Sequence, residues 1–248
     1  MSCCDQPGLQ PVEQALETLL SSAKAITETE MVPVTQALGR VLAKDQLSTV
    51  DVPPADNSAM DGFAFSSADS AANQQTTLPI SQRIPAGIAP QPLQPGTAAR
   101  IFTGAEVPTG ANTVVMQENC EWSDNKVTVL HAPKAGDNVR PQGQDIQSGS
   151  VIMSHGHRIK PQDMGLLASV GIAEIPVYRK LKVAILSTGD ELIEPGTELQ
   201  PGQIYNSNRY TLTGQMDALG FETIDLGIVS DNFDATEQAL RKAANEAD

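Results

Sequence analysis

Cysteine is scarce: three in 248 residues, of which Cys3 and Cys4 are neighbours and Cys120 stands alone. That spacing supplies neither a disulfide framework nor a thiolate metal site. Aromatic residues are also few, with one Trp, three Tyr and five Phe. Basic residues number 16 against 30 acidic ones, a formal net charge of −14. Such a balance repels nucleic acid and anionic lipid at long range, and no basic stripe with interleaved aromatics relieves it. No apolar run approaches the ~20 residues of a spanning helix. The opening MSCCDQPGLQ lacks both the basic and the hydrophobic region of an export signal. A cytoplasmic protein with no nucleic-acid partner and no membrane partner is therefore expected. Nucleotide motifs are missing as well: no G-x-G-x-x-G follows a strand, and no G-x-x-x-x-G-K-[ST] occurs. An anionic ligand must be met locally, by a metal ion or by a few placed cations.

The length suits one large domain or two to three small ones. Residues 11–26 put Val12, Ala15, Leu16, Leu19, Leu20, Ala23 and Ile26 on one helical face, with Pro11 suited to the first turn. Thr35 is placed to cap a second short helix, TQALGRVL. From about 73 to 160 short apolar runs (TTLPI, AARIF, TVVMQ, KVTVL, SVIM) alternate with Pro, Gly and Asn, which marks a β-rich region. PQDMGLLASVG then reads as a helix, with Pro161 near its start and Gly171 past its end. KVAIL, NSNRYTLTGQMDALG, FETIDLGIV and DATEQALRKAANEA follow as strand, helix, strand, helix. That order predicts a parallel α/β sheet, because parallel neighbours need crossover connections.

Five polar loops carry the candidate chemistry. DVPPADNSAMDGFAF (51–65) fits neither helical nor strand periodicity and reads as a loop, holding Asp51, Asp56, Asn57, Ser58 and Asp61 and anchored by Met60, Phe63 and Phe65. RIFTG ends a strand on Thr103 and Gly104. VRPQGQDIQSG contributes Arg140 and Asp145. In parallel sheets, ligands bind outside the carboxyl ends of the strands. STGDEL (Ser187, Thr188, Gly189, Asp190, Glu191) and SDN, with Asp231, stand at those ends. Each acid taken alone is more simply a helix cap or a solvated loop residue. Two acid-bearing turns at one sheet edge favour a site. His155 and His157 in SHGHR offer two imidazoles without a third soft ligand, so a surface turn is the simpler reading.

DVPPADNSAMDGFA, RIFTGAEVPTGANTVVMQE, NVRPQGQDI, LLASVGIAEIPVYRK, VAILSTGDEL, GQIYNSN and LGIVSDN, in this order, resemble the molybdopterin molybdenumtransferase family, which is related to the E domain of gephyrin. The resemblance implies a multidomain fold: a discontinuous, elongated α+β linker and dimerisation domain at 1–50 and 144–179, an inserted β-rich lobe at 51–143, and the start of a parallel α/β molybdopterin-binding domain at 180–248. It implies a homodimer that binds adenylylated molybdopterin and molybdate, inserts molybdenum into the cofactor and releases AMP with Mg²⁺. Contact with other molybdenum cofactor biosynthesis proteins is a further implication.

By motif match, Asp61, Thr103, Asp145 and Glu191 are the catalytic candidates. Asp56, Asn57, Ser58, Arg140, Ser187, Thr188, Gly189 and Asp190 are the substrate-binding candidates, and Glu191 and Asp231 the Mg²⁺ ligands. Mg²⁺ takes oxygen donors, usually one or two carboxylates completed by water and phosphate, so an acidic site can bind an anion through it. Two departures from the family pattern stand out. The loop before Asp145 carries fewer arginines, and after NEAD the strand, Gly-Ser turn, Lys loop and final β domain of the family do not follow. The expectation is a C-terminally truncated chain, inactive alone. The alternative is a non-catalytic dimerisation or scaffold module related to gephyrin.

Overall fold

The computed structural model describes residues 10–70 and 74–248. In chain order the elements are α1 (Val12–Ser22), β1 (Thr29–Pro33), β2 (Gln46–Leu47), β3 (Asn57–Ser58), β4 (Gly62–Phe65), β5 (Thr76–Ile84) and β6 (Ala98–Ile101). There follow β7 (Thr113–Met116), β8 (Cys120–Ser123), β9 (Lys126–Val129), β10 (Val139–Arg140), β11 (Val151–Met153), α2 (Pro161–Ser169) and β12 (Glu174–Tyr178). The last are β13 (Lys182–Thr188), β14 (Leu192–Ile193), β15 (Ile204–Tyr205), α3 (Ser207–Leu219), β16 (Glu222–Val229) and α4 (Phe233–Glu246). They divide into two compact units, one of residues 45–157 and 161–173, the other of residues up to 44, 158–160 and 174–248. The chain is thus a mixed α/β protein with separate sheets. Among the described residues no helix is long and apolar enough to cross a membrane.

The first unit is organised by a six-stranded sheet in the order β7-β4-β6-β5-β9-β8. Its pairs are antiparallel except β5 with β6, which run parallel. Phe63, Phe65, Ile84, Ile101, Val114, Val127 and Val129 are buried in one core. Each such side chain stabilises the fold by roughly 1.5–3 kcal/mol relative to exposure. The sequence expectation for 51–65 needs correction here. Asn57–Ser58 pairs with β10, and GFAF is an interior strand of the sheet, buried along its whole length. A strand covered on both faces has no polar alternation to betray it. Phe63 and Phe65 anchor the segment, whereas Met60 remains 38% exposed.

In the second unit, β1 pairs antiparallel with β12, and Val41 and Leu42 form bridges with Arg158 and Val177. TQALGRVL is not a helix. A single 3-10 turn covers Val34–Gln36, Gly39 then takes φ 76°, and the chain leaves as extended backbone. Pairing with distant strands outweighs the local propensity of an eight-residue segment, which is too short to hold a helix unaided. The first helix is also shorter than the spacing predicts, ending at Ser22 with no buried residue. Its apolar Val12, Leu16, Leu19 and Leu20 are exposed.

The strand-helix-strand-helix expectation holds: β13 and β16 are parallel neighbours, joined through α3 and followed by α4. Asn206 caps α3 by accepting from the Arg209 N–H, and Gly220 at φ 79° ends it. Asn232 caps α4 by accepting from the Ala235 N–H. Both are the small polar N-caps that satisfy otherwise orphaned helix donors.

Candidate functional site

In the first unit the polar loops are joined by hydrogen bonds from side chain to main chain. Asp61 sits in the turn between β3 and β4, where Oδ1 accepts from the Thr103 N–H at 2.8 Å and from the Thr103 hydroxyl at 2.9 Å. Those two bonds, the backbone one foremost, hold the Asp61 carboxyl below the usual carboxylate range, with the Arg100 guanidinium adding to the effect. Hydrogen bonds to the charged form favour ionisation, so Asp61 is a carboxylate at neutral pH. Gly104 follows at φ 80°, its N–H donating to the Ser58 carbonyl at 2.9 Å.

Asp56 Oδ1 accepts from the Gln142 N–H at 2.8 Å, and Asp51 accepts from the Gln142 side chain and the Ser148 N–H, each at 2.8 Å. Ser58 is buried, and its hydroxyl donates to the Met60 carbonyl at 2.6 Å. Asn57 and Arg140 face each other across the β3–β10 pair, and the Arg140 guanidinium donates to Asp145 Oδ2 at 2.5 Å. The structure therefore brings Asp61 together with Thr103, Asp56 with the loop after Arg140, and Arg140 with Asp145. Ser58 spends its hydroxyl on the loop itself, whereas Asp56 is exposed with one carboxylate oxygen bonded to the Gln142 N–H. Asp61 and the Arg140–Asp145 pair keep atoms turned towards solvent.

In the second unit, β13 and β16 end side by side, Thr188 opposite Val229. Gly189 takes φ 143°, and a Cβ there would stand 2.5 Å from Glu191 Oε2. Only glycine lets the Glu191 carboxylate fold back over the strand end. Asp190 Oδ1 accepts from the Asp231 N–H at 3.1 Å, so the two acid-bearing turns meet as the topology requires. None of the three acids caps a helix. Asn206 and Asn232 take that role, which removes the simplest alternative for Asp190, Glu191 and Asp231.

Ser187 lies within hydrogen-bond reach of Asn206 Oδ1, at 3.4 Å, and Thr188 is exposed at the strand end. Among the described residues no group of three or more His, Cys, Asp or Glu side chains is arranged to hold a metal by itself. Exposed oxygen donors at one strand edge nevertheless suit Mg²⁺, which commonly takes one or two carboxylates and draws the rest from water and phosphate.

Several residues that sequence reasoning passed over support these clusters. Gln142 ties Asp51 and Asp56 together, and Asn206 supports the Ser187 strand end; no periodicity marks either one. Asn206 Nδ2 and Thr223 Oγ1 are buried polar atoms without a partner. Arg209 joins Glu194 and Asp225 in an ion triad that fastens α3, and both hydrogen-bonded acids push its guanidinium further towards the charged form. His157 Nε2 meets Asp163 Oδ2 at 2.6 Å and the His155 N–H donates to Asp45, so SHGHR is a braced turn. Cys120 is half-buried, and burial pushes its thiol up to about 11.

Comparison with known proteins bears on the whole chain. Residues 10–171 match the family described as "MoeA N-terminal region (domain I and II)", and residues 184–248 match "Probable molybdopterin binding domain". The molybdopterin molybdenumtransferase of Haemophilus influenzae is 41% identical over 239 residues, covering 96% of this chain and 59% of that protein. The enzyme of the same name from a Nostoc species is 40% identical over 246 residues, covering 98% of this chain and 56% of its own. This chain thus spans under three fifths of the length of those two relatives. The crystal structure of the molybdopterin biosynthesis moeA protein of Pyrococcus horikoshii superposes with a TM-score of 0.88 at 36% identity, over 96% of this chain and 65% of that one. The family match over residues 10–171, the order of the loops and the fold agree: the chain belongs to the MoeA family, to which these molybdopterin molybdenumtransferases belong.

Proposed function

We propose that this chain serves molybdenum cofactor biosynthesis, carrying the residues that bind adenylylated molybdopterin and molybdate and that release AMP as molybdenum enters the cofactor. The observation that carries the reading is the meeting of STGDEL and SDN at the carboxyl ends of the two parallel strands, through Asp190 and the Asp231 N–H. Glu191 and Asp231 are the proposed Mg²⁺ ligands. Bound there, Mg²⁺ would supply charge neutralisation for a phosphoanhydride. Ser187, Thr188, Gly189 and Asp190 form the strand-end turn offered to the substrate. Asp61, ionised and oriented by Thr103, is placed to accept a proton or hold a water at Oδ2, the oxygen that Thr103 leaves open. Arg140, braced by Asp145, offers a cation to an anionic substrate. Asn57 and Asp56 shape the loop that presents Asp61.

The proposal extends to organisation. The chain acts as a homodimer in the cytoplasm, with a linker and dimerisation domain at 1–50 and 144–179, a β-rich domain at 51–143 and a molybdopterin-binding domain from 180. The exposed apolar stripe of α1 also supports a second reading, a dimerisation or scaffold module without catalysis.

Molybdate-dependent AMP release, measured with Mg²⁺ on the complete enzyme and on its Asp61→Ala and Glu191→Ala variants, tests the proposal. Loss in both variants, each still folded and of wild-type oligomeric state, supports it. AMP release indifferent to molybdate would leave only a Mg²⁺-dependent phosphohydrolase. A folded dimer that neither binds adenylylated molybdopterin nor releases AMP supports the scaffold reading.

A further inference from the structure

Arg100 is a half-buried cation of the first unit. It lies on β6 in register with Phe63 of β4 and Arg83 of β5, one row across the sheet. Its guanidinium carbon stands 4.9 Å from the ring centres of Phe63 and Phe102 and 5.0 Å from that of Trp122. Three aromatic faces around one cation fix the plane of the guanidinium and exclude water from much of it. Such confinement is costly for a group needed only to cover apolar surface, since burial alone disfavours its charge.

The hydrogen bonds say what the confinement achieves. Nη1 donates to the Gly62 carbonyl at 3.1 Å, and Nη2 donates to Gln117 Oε1. The Gln117 N–H in turn donates to the Asp61 carbonyl at 3.0 Å. The two consecutive carbonyls of Asp61 and Gly62 are therefore held from one guanidinium, the first through Gln117 and the second directly. The carboxylate that Thr103 grips from one side is thus mounted on a main chain braced at two consecutive carbonyls.

We propose that Arg100 is the positioning residue for Asp61, pinning the main chain that carries it through the Gly62 carbonyl and through Gln117. The importance of Asp61 rests on the transferase reading above; the linkage to Arg100 does not. The other charged or titratable groups around Arg100 are Arg83, Glu118 and Cys120, and Arg83 opposes its charge while Glu118 and Cys120 favour it. Thr103 makes the largest contribution to holding Asp61 ionised, and Arg100 contributes beside it in the same direction.

The test is a carboxyl-carbon NMR titration of the 248-residue chain labelled at aspartate, with the Asp61 resonance assigned by its loss in Asp61→Asn. In Arg100→Met and Arg100→Gln the Asp61 midpoint is expected to move up towards the ordinary carboxylate value. In Arg100→Lys, which keeps the charge, it is expected to return part of the way. A purely structural arginine would lower the melting temperature and leave the midpoint where it was. Glutamine keeps a polar, uncharged end beside the rings, so Arg100→Gln remains informative if the methionine variant does not fold. An unchanged midpoint in folded Arg100→Gln, or a lysine that restores nothing, overturns the proposal. The titration needs no substrate, so an active Asp61→Ala protein would sink the transferase role of Asp61 while leaving this linkage intact, and failure here leaves the transferase reading standing.

Discussion

Replacing Gly62 with alanine adds one methyl group, and the structure leaves no room for it. The new Cβ would stand 2.0 Å from the Val115 carbonyl oxygen, 2.8 Å from its carbon and 3.2 Å from the Met116 Cα. All three are backbone atoms, so no side chain can swing aside. Restoring ordinary contact means moving β4 from β7 by more than about 1 Å, and the other flank of β4 is already paired to β6. Overpacking costs about 1–3 kcal/mol. A ladder hydrogen bond stretched beyond use adds about 1 kcal/mol.

A loss of about 3 kcal/mol is therefore expected, a large share of the ~5–15 kcal/mol that typically holds a domain. With a urea slope of about 2 kcal/mol per molar, the midpoint falls by about 1.5 M. Trp122 is the sole tryptophan, and its ring lies 5.9 Å from that of Phe63, so its fluorescence follows the unfolding of this sheet. Gly165→Ala is the control. That position lies in α2 of the same unit, where the added Cβ meets nothing within 4 Å beyond its own helix backbone, and alanine there is expected to stabilise by about 0.5–1 kcal/mol. A Gly62→Ala midpoint within about 0.3 M of wild type would refute the reasoning, because the strands would then have a freedom that this packing denies.

The remaining expectations concern titration. Asp248 accepts from two Arg179 guanidinium nitrogens at 2.7 Å and from the Lys182 N–H at 2.9 Å, bonds that hold its carboxyl down at about 2. For a depressed acid the stabilisation is fully present above the unfolded value near 3.8 and is lost as pH falls through about 2. Asp248→Asn should thus be less stable than wild type at neutral pH, with the gap closing between those two values; urea midpoints taken across that range will show whether it does. Cys120, its thiol pushed up to about 11 by burial, should react with a disulfide reagent at pH 8 on the order of 100-fold more slowly than an ordinary thiol in a Cys3→Ser, Cys4→Ser background. A rate matching that of free cysteine would show the thiol to be open to solvent.

Residues 182–247 were legible because their apolar spacing changes period cleanly from strand to helix, and a parallel pair is the simple way to connect that order. GFAF was not legible. It is an interior strand because β6 and β7, segments that follow it in the chain, pair along its two edges, and nothing within its four residues announces them. TQALGRVL failed for the opposite reason, since a plausible cap and apolar spacing lost to bridges with Arg158 and Val177 far downstream.

The site divides along the same line. Asp190, Glu191 and Asp231 could be placed by topology alone, before any geometry was known. The partnership of Asp61 with Thr103 follows from β4 and β6 lying side by side, which only pairing across the sheet decides. Gln117 and Arg100, whose side chains join that arrangement from the turn after β7 and from β6, carry no local signature at all.

The pairing of β1 with β12 sets Thr29 against Tyr178, whereas every strand of the six-stranded sheet lies between residues 62 and 129. During synthesis, which proceeds from the amino end at about 5–20 residues per second, the inner sheet can close while β1 still has no partner. For the several seconds that separate Val129 from Tyr178, Val32 and Leu42, both buried in the finished protein, face solvent. The ribosome thus imposes an order of assembly in which β1, made before the six-stranded sheet, is covered after it. A chaperone acting on the nascent chain would find an exposed apolar segment ahead of a sheet already closed.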